Sequence, residues 1–325
     1  MSKKIIWLMV CVLLVAVFAG CSRNREAGND NNANSIGSNN NGGNNGGTDN
    51  EAAAYPLQFT DDLGRTVTLE RKPERLVSLL PSLTETIFAV GAGERLVGVT
   101  TFCNYPEEAL EIEKIGNLYD LNIELILSLE PDLVLTGRSE TLQQSLSFLD
   151  DNKIPYVVVD PQSLDEIGEA IIKVGTLLDC KAEGEALAAK LSAERAELEA
   201  KAAAIPEAER PRVFVLLDPE SLWTVGDGEY LSEMIAAAGG VNVAAEQGSG
   251  YFQLSEEVLL TIDPDVFICT YPMRDQVMAK AGWQSLSAVK NGRVYDVSSD
   301  PVSRPGPRFV QGLEELYGIF SGHEK

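Results

Sequence analysis

Histidine is almost absent: of 325 residues only His323, two places from the C-terminus, is one. That excludes a Ser-His-Asp or Cys-His catalytic pair and a histidine-rich zinc site. No GxxxxGK[ST] or GxSxG stretch occurs either. Basic residues are scarce, 26 Lys+Arg against 49 Asp+Glu, for a net charge of −23. Nucleic acid is therefore excluded as a partner, because neutralising phosphates takes a basic surface; the acidity reads as a solubility device. Nothing in the composition assigns a catalytic residue, a resident metal or a cofactor. What the chain does have is length for about two domains and 44% hydrophobic residues to fill them.

The first residues read as an address. Lys3 and Lys4 precede a nearly unbroken apolar run, Ile5–Ala19. It is shorter than the roughly 20 residues a membrane span needs and suits the core of a signal peptide. The run ends in Phe18-Ala19-Gly20-Cys21, which resembles a bacterial lipobox, with Phe18 where a Leu is usual. The resemblance implies a leader at 1–20, removed before Cys21, whose thiol then carries lipid on the outer face of the cell membrane. Residues 21–54 are dominated by Asn and Gly and cannot bury enough apolar surface to fold. They read as a tether with a reach of about 30 Å. Cys11 goes with the leader and Cys21 with the lipid, leaving Cys103, Cys180 and Cys269. An odd number cannot all pair within the chain, and no disulfide is expected.

From Tyr55 the sequence becomes globular, and one pattern occurs twice. A hairpin is expected first, Leu57–Thr60 and Thr66–Leu69 around Asp61–Arg65. The first copy then runs as strand 75–80, helix 84–90, strand 96–100, helix 122–129, strand 133–136, helix 140–149 and strand 155–160. The second runs as strand 212–217, helix 230–238, strand 241–244, helix 256–262, strand 266–270, helix 276–289 and strand 293–297. Glu124…Pro131-Asp132 and Glu257…Pro264-Asp265 keep the same seven-residue spacing. Alternating strands and helices imply an α/β fold of two Rossmann-like lobes with mainly parallel sheets. Between the copies, the run from Ser163 is rich in Ala, Glu, Leu and Lys. Its second part, 182–204, reads as one helix of about 34 Å joining the lobes. The expected organisation is an N-terminal lobe at 55–162, a helical segment at 163–205 and a C-terminal lobe at 206–325, with a ligand cleft between the lobes.

Ligands of open α/β sheets bind beyond the carboxyl ends of the strands. The loops there offer Ser82 and Leu83, Phe102 and Tyr105, Leu118 and Tyr119, Gly137, Trp223, Tyr251 and Phe252, and Asp300 with Arg304. Aromatics at loop positions suit a large, flat, mostly apolar ligand. Arginines cluster only in 303–308, which favours a ligand of low net charge, and the rigid Pro305 and Pro307 make one of Arg304 and Arg308 structural.

Three segments carry a further resemblance: Ser78-Leu-Leu-Pro-Ser-Leu-Thr-Glu85, Gly98-Val-Thr-Thr-Phe-Cys-Asn-Tyr-Pro106 and Ser303-Arg-Pro-Gly-Pro-Arg308. With the lipobox and the tether, they are similar to the helical-backbone binding proteins of ABC importers, which take iron-siderophores, haem or vitamin B12. The resemblance spans roughly 57–320 and is nearest the cobalamin branch, although Tyr251 and Leu118 stand where that branch can have other aromatics. It implies a monomeric extracytoplasmic lipoprotein that binds cobalamin, or alternatively haem or a ferric siderophore, and delivers it to a permease dimer. It also implies a permease-docking glutamate on each lobe, at Glu124 and Glu257. Two other readings compete: a two-lobed metalloenzyme, for which only three cysteines would be available as ligands, and a surface sensor without a transporter.

Overall fold

The computed structural model describes residues 55–139 and 142–322. The leader, Cys21, the Asn/Gly segment and His323 lie outside them. Residues 50–325 form one compact unit by themselves.

The chain enters through strands β1 (Leu57–Thr60) and β2 (Thr66–Leu69), paired antiparallel with Leu57 opposite Leu69. Asp61 makes the turn. One carboxylate oxygen accepts from the amides of Leu63 at 3.0 Å and Arg65 at 2.9 Å. The other takes the Arg65 guanidinium at 2.6 Å and the Val158 amide at 3.3 Å, docking the hairpin on the first lobe.

That lobe runs β3 (Leu76–Ser78), α1 (Pro81–Ala89), β4 (Leu96–Val99), β5 (Gly116–Asn117), β6 (Asp120–Leu121), α2 (Ile123–Ser128), β7 (Leu133–Thr136), α3 (Gln143–Asp151) and β8 (Tyr156–Val158). Helices α4 (Leu164–Leu177) and α5 (Lys181–Ala203) follow. The second lobe runs β9 (Arg212–Leu216), β10 (Trp223–Val225), α6 (Tyr230–Ala237), β11 (Val241–Asn242), β12 (Tyr251–Gln253), α7 (Glu256–Ile262), β13 (Val266–Cys269), α8 (Arg274–Ala279), α9 (Ser287–Lys290), β14 (Val294–Asp296), α10 (Ser299–Ser303) and α11 (Phe309–Ser321). The parallel sheets have orders β4-β3-β7-β8 and β11-β9-β13-β14. Each therefore places its second strand, first, third and fourth in the same sequence, which is the topology of a duplication.

The repeat extends to single hydrogen bonds. Asp132 and Asp265, each just after its Pro, accept from the backbone amides of Arg75 at 3.0 Å and Arg212 at 2.9 Å. The Arg75 side chain donates to the Leu129 carbonyl at the end of α2, 2.9 Å away, and Arg212 donates to the Asp263 carbonyl at the end of α7, 3.0 Å away. Both helices run out through a non-glycine residue in the left-handed region, Glu130 (φ 45°) and Asp263 (φ 47°). An arginine on the open carbonyls at a helix C-terminus is favoured by the helix dipole.

Helix α5 packs on α4 at one end and on α11 of the second lobe further along, so it crosses from lobe to lobe. The α4–α5 turn is tight because glycines face it: a Cβ on Gly175 would lie 2.7 Å from the Cys180 carbonyl oxygen.

Helix α1 begins at Pro81, ahead of the expected 84, and a second expected helix is interrupted. The segment read as one helix over 276–289 is broken into α8, a 3-10 turn at Ala281–Trp283, and α9. The break drives Trp283 into the core, fully buried and stacked on Phe267 at 5.5 Å, with its indole N–H 2.7 Å from Glu256. Burying one large aromatic outweighs continuing a mediocre helix. Helix α3 is described over Gln143–Asp151, and residues 140 and 141 of its expected extent lie outside the described residues. The β5–β6 hairpin and the β10–β12 pair were not legible as strands.

Candidate ligand cleft

The carboxyl ends of the two sheets face one another. The loop after β4 meets the segment after β14: Asn104 donates to Asp300 at 3.0 Å, and Arg304 donates to the Asn104 side-chain oxygen at 2.9 Å and to the Phe102 carbonyl at 3.3 Å.

Beside this contact lies a buried charge cluster that spans the lobes. Glu85, on α1, has a side chain only 2% exposed. Arg308 grips it through both oxygens, Nη2 at 2.6 Å and Nε at 2.9 Å, and Arg304 adds a contact at 3.1 Å. Arg304 also pairs with Asp300 at 2.7 Å. Two carboxylates thus face two guanidiniums. The Arg308 guanidinium lies 4.1 Å from the Tyr105 ring centre. Burial works against its charge, but Glu85 and then Asp300 outweigh that and hold its pKa above the ordinary value. Between the two arginines, Gly306 sits on the start of α1: a Cβ there would be 3.1 Å from that of Ser82. Both arginines are paired with Glu85, and Glu85 is the partner that sequence reasoning missed. Glu85 as the one charged residue of α1 was the available signal.

The paired strands β10 and β12 carry further predicted site residues. Its register pairs Trp223 with Gln253 and Val225 with Tyr251. Alternation then puts Trp223, Val225, Tyr251 and Gln253 on one face, and Thr224 and Phe252 on the other. Trp223 is 40% exposed and Tyr251 54%. Burial, and then Glu229, push the Tyr251 phenol up. Phe252 instead packs against Gly226 and Gly248 and joins the second-lobe core. It parts from the two aromatics with which the sequence grouped it.

In the first lobe, Tyr119 stands at the tip of the β5–β6 hairpin, highly exposed, above a turn in which the Asn117 side chain accepts from the amides of Tyr119 and Asp120. Phe102 is exposed; Leu118 packs partly into the core, and Leu83 is buried in it. Gly137 is a packing glycine, since a Cβ would come 2.5 Å from Leu80 and 2.8 Å from Asp160. Sequence reasoning passed over Tyr271, exposed immediately beyond β13. Aligning the repeat on Pro131-Asp132 and Pro264-Asp265 sets it opposite Arg138, at the same strand end.

No metal-binding group of His, Cys, Asp and Glu is found among the described residues. Cys103, Cys180 and Cys269 are free and buried. A cavity of about 660 Å³ lies between α1, α5 and the start of α11, lined by Phe88, Leu191, Leu198, Glu197 and Val310. It shares Glu85, Tyr105 and Arg308 with the charge cluster but holds none of Phe102, Tyr119, Trp223 or Tyr251.

Residues 76–301 match the periplasmic binding protein family. The chain belongs to that family. The uncharacterized ABC transporter substrate-binding lipoprotein YvrC of Bacillus subtilis is 33% identical over 267 residues, covering 81% of this chain and 84% of YvrC. The crystal structure of the periplasmic vitamin B12 binding protein BtuF of Vibrio cholerae superposes with a TM-score of 0.70 at 29% identity, over 78% of this chain and 98% of that one. The periplasmic haem-binding protein RhuT from Roseiflexus sp. RS-1 gives 0.70 at 31%, over 77% and 98%. This periplasmic binding protein is accordingly an extracytoplasmic substrate-binding component of an ABC importer, built as two α/β lobes joined by the long helix α5. Its Glu124 and Glu257 are exposed on α2 and α7, at equivalent places in the two lobes.

Proposed function

We propose that this protein captures a corrinoid such as cobalamin in the cleft and presents it to its permease. Lipid on Cys21 would anchor it to the outer face of the cell membrane, and Glu124 and Glu257 would dock it. Two observations support the ligand class: aromatics exposed in loops and strands at the strand ends, and arginines already matched by carboxylates. Phe102, Tyr119, Trp223 and Tyr251 offer flat apolar faces, while Arg304 and Arg308 are both paired with carboxylates. A corrin ring edged with amides fits such a surface; haem brings two propionates, and many ferric siderophores bring net negative charge, which call for unpaired cations. Tyr251, with its phenol pushed up by burial and Glu229, serves as a neutral hydrogen-bond donor rather than a phenolate ligand for iron. BtuF, named for vitamin B12, supports the reading. RhuT, named for haem, is as similar in fold, so the preference for a corrinoid rests on this chain's own side chains.

The test is calorimetric titration of residues 50–325 with cyanocobalamin. Saturable one-to-one binding at micromolar affinity or tighter is expected. Absence of heat removes the corrinoid and sends haem and then ferric siderophores to the same cell.

A further inference from the structure

We infer that Glu85 sets the charge of the ligand the cleft accepts, by neutralising from within the two arginines at its wall. The inference rests on the cleft assignment above and not on the ligand being a corrinoid. Glu85 is at the buried end of the cluster and makes contacts to both guanidiniums, three within 3.1 Å. Asp300, with a side chain 29% exposed, closes the cluster on its outer side, 2.7 Å from Arg304 and 3.7 Å from Arg308. Two positive and two negative groups leave no net charge. The site is nevertheless built from parts that would hold an anion: two guanidiniums held almost side by side, each partly exposed, 18% and 13%. They adjoin Phe102 and Tyr105 at the lobe junction, where Arg304 reaches the Phe102 carbonyl and Arg308 stacks on Tyr105.

A guanidinium forks onto a carboxylate through two parallel N–H···O bonds, and Glu85 fills that position on Arg308. An anionic ligand must displace a carboxylate from inside the protein or go without a cation. A neutral ligand faces no such competition. Glu85 is thus a positioning residue: it holds Arg304 and Arg308 as the lobe contact and withholds their charge from the ligand. Removing its charge while keeping its shape converts the wall to a net positive one.

Two probes with the same ring isolate the effect: haemin, which carries two propionates, and haemin dimethyl ester, which carries none. In Glu85→Gln, affinity for haemin is expected to rise about tenfold relative to the ester, the size of one charge-assisted hydrogen bond. The gain should shrink in 0.5 M KCl and vanish in the charge-balanced double variant Glu85→Gln/Arg308→Gln. Asp300→Asn removes a carboxylate from the outer side of the cluster. It should move the ratio in the same direction even if Glu85→Gln fails to fold, as judged by circular dichroism. A folded Glu85→Gln or Asp300→Asn with an unchanged ratio overturns the inference, as does a gain that survives in the double variant. Failure of every version to bind either probe overturns it too, since the arginines would then face no ligand site. Failure of cyanocobalamin to bind the unaltered protein strikes only the corrinoid reading and leaves the ratio to be read.

Discussion

Glu124 and Glu257 stand at the same place in their lobes: each is the second residue of a short helix whose preceding side chain caps it. Asn122 accepts from the Leu125 amide at 3.0 Å and Ser255 from the Val258 amide at 3.2 Å. Each cap fixes the first turn, and the helix N-terminus favours a carboxylate there. Both side chains are exposed, and neither forms an ion pair within the described residues. In the docking role proposed above, two such points on a duplicated frame would match a two-fold pair of basic pockets, giving orientation and encounter rate more than affinity. The double substitution Glu124→Ala/Glu257→Ala should leave ligand affinity within about twofold and reduce ligand uptake by cells at least about tenfold. Each single substitution should fall between. Uptake at the unaltered rate would remove the docking role.

Residues 50–325 contain two tryptophans with opposite surroundings. Trp283 is fully buried on Phe267, whereas Trp223 is 40% exposed on the cleft face of the β10–β12 ribbon. Ligand-dependent fluorescence change should therefore come from Trp223 alone and disappear in Trp223→Phe, which keeps an aromatic face. Trp223→Ala and Tyr251→Ala should each weaken binding by about 2 kcal/mol, roughly thirtyfold, without changing the melting temperature much. Trp283→Ala should do the reverse, destabilising by about 3–5 kcal/mol with affinity intact in the folded fraction. A quenching signal that survives in Trp223→Phe would place the ligand elsewhere.

The parts legible in the sequence were those whose cause is local. The β1–β2 hairpin fell on its predicted residues because Asp61 makes its turn from within the loop. Both copies of the strand–helix pattern were visible because Pro131-Asp132 and Pro264-Asp265 mark strand entries, and α5 because its composition favours one helix throughout. What stayed hidden depends on distant partners. Glu85 contacts Arg304 and Arg308 more than 200 residues away, and no local pattern announces that pairing. The break between α8 and α9 follows from the pocket that Phe267 and Glu256 provide for Trp283. Phe252 was grouped with Tyr251 because they are neighbours in sequence; only the strand's alternation sends them to opposite faces.

The cysteines allow a direct check on packing. Cys103, Cys180 and Cys269 are all buried. Burial, and then Asp296, push the Cys269 thiol up to about 12, and Cys180 is raised as well, chiefly by burial. The thiolate is the reactive form, so both should be inert at pH 8. Residues 50–325 should release no colour from Ellman's reagent while folded and three equivalents in guanidinium. One fast-reacting thiol in the native protein would contradict the packing around β13, the α4–α5 turn or the loop after β4.

Asp61 predicts how the fold responds to acid. Burial alone would raise its pKa, but the Arg65 side chain and the amides of Arg65 and Val158 outweigh it, so the carboxyl sits below its ordinary value of 3.8. A group whose folded pKa is depressed stabilises fully above its unfolded pKa and loses that contribution as pH falls through the folded one. Asp61→Asn removes the charge and keeps the shape. At pH 7 it should lower unfolding stability by about 1.5–3 kcal/mol, the worth of hydrogen bonds to a charged group. The gap between the two proteins should hold from pH 7 to about 5 and narrow progressively below 3.8. Asp160, which burial raises, titrates in both proteins and drops out of the difference to first order. Urea unfolding of both at several pH values measures that gap. A constant gap down to pH 2.5 would mean that the ionised carboxylate contributes nothing beyond what its protonated form supplies.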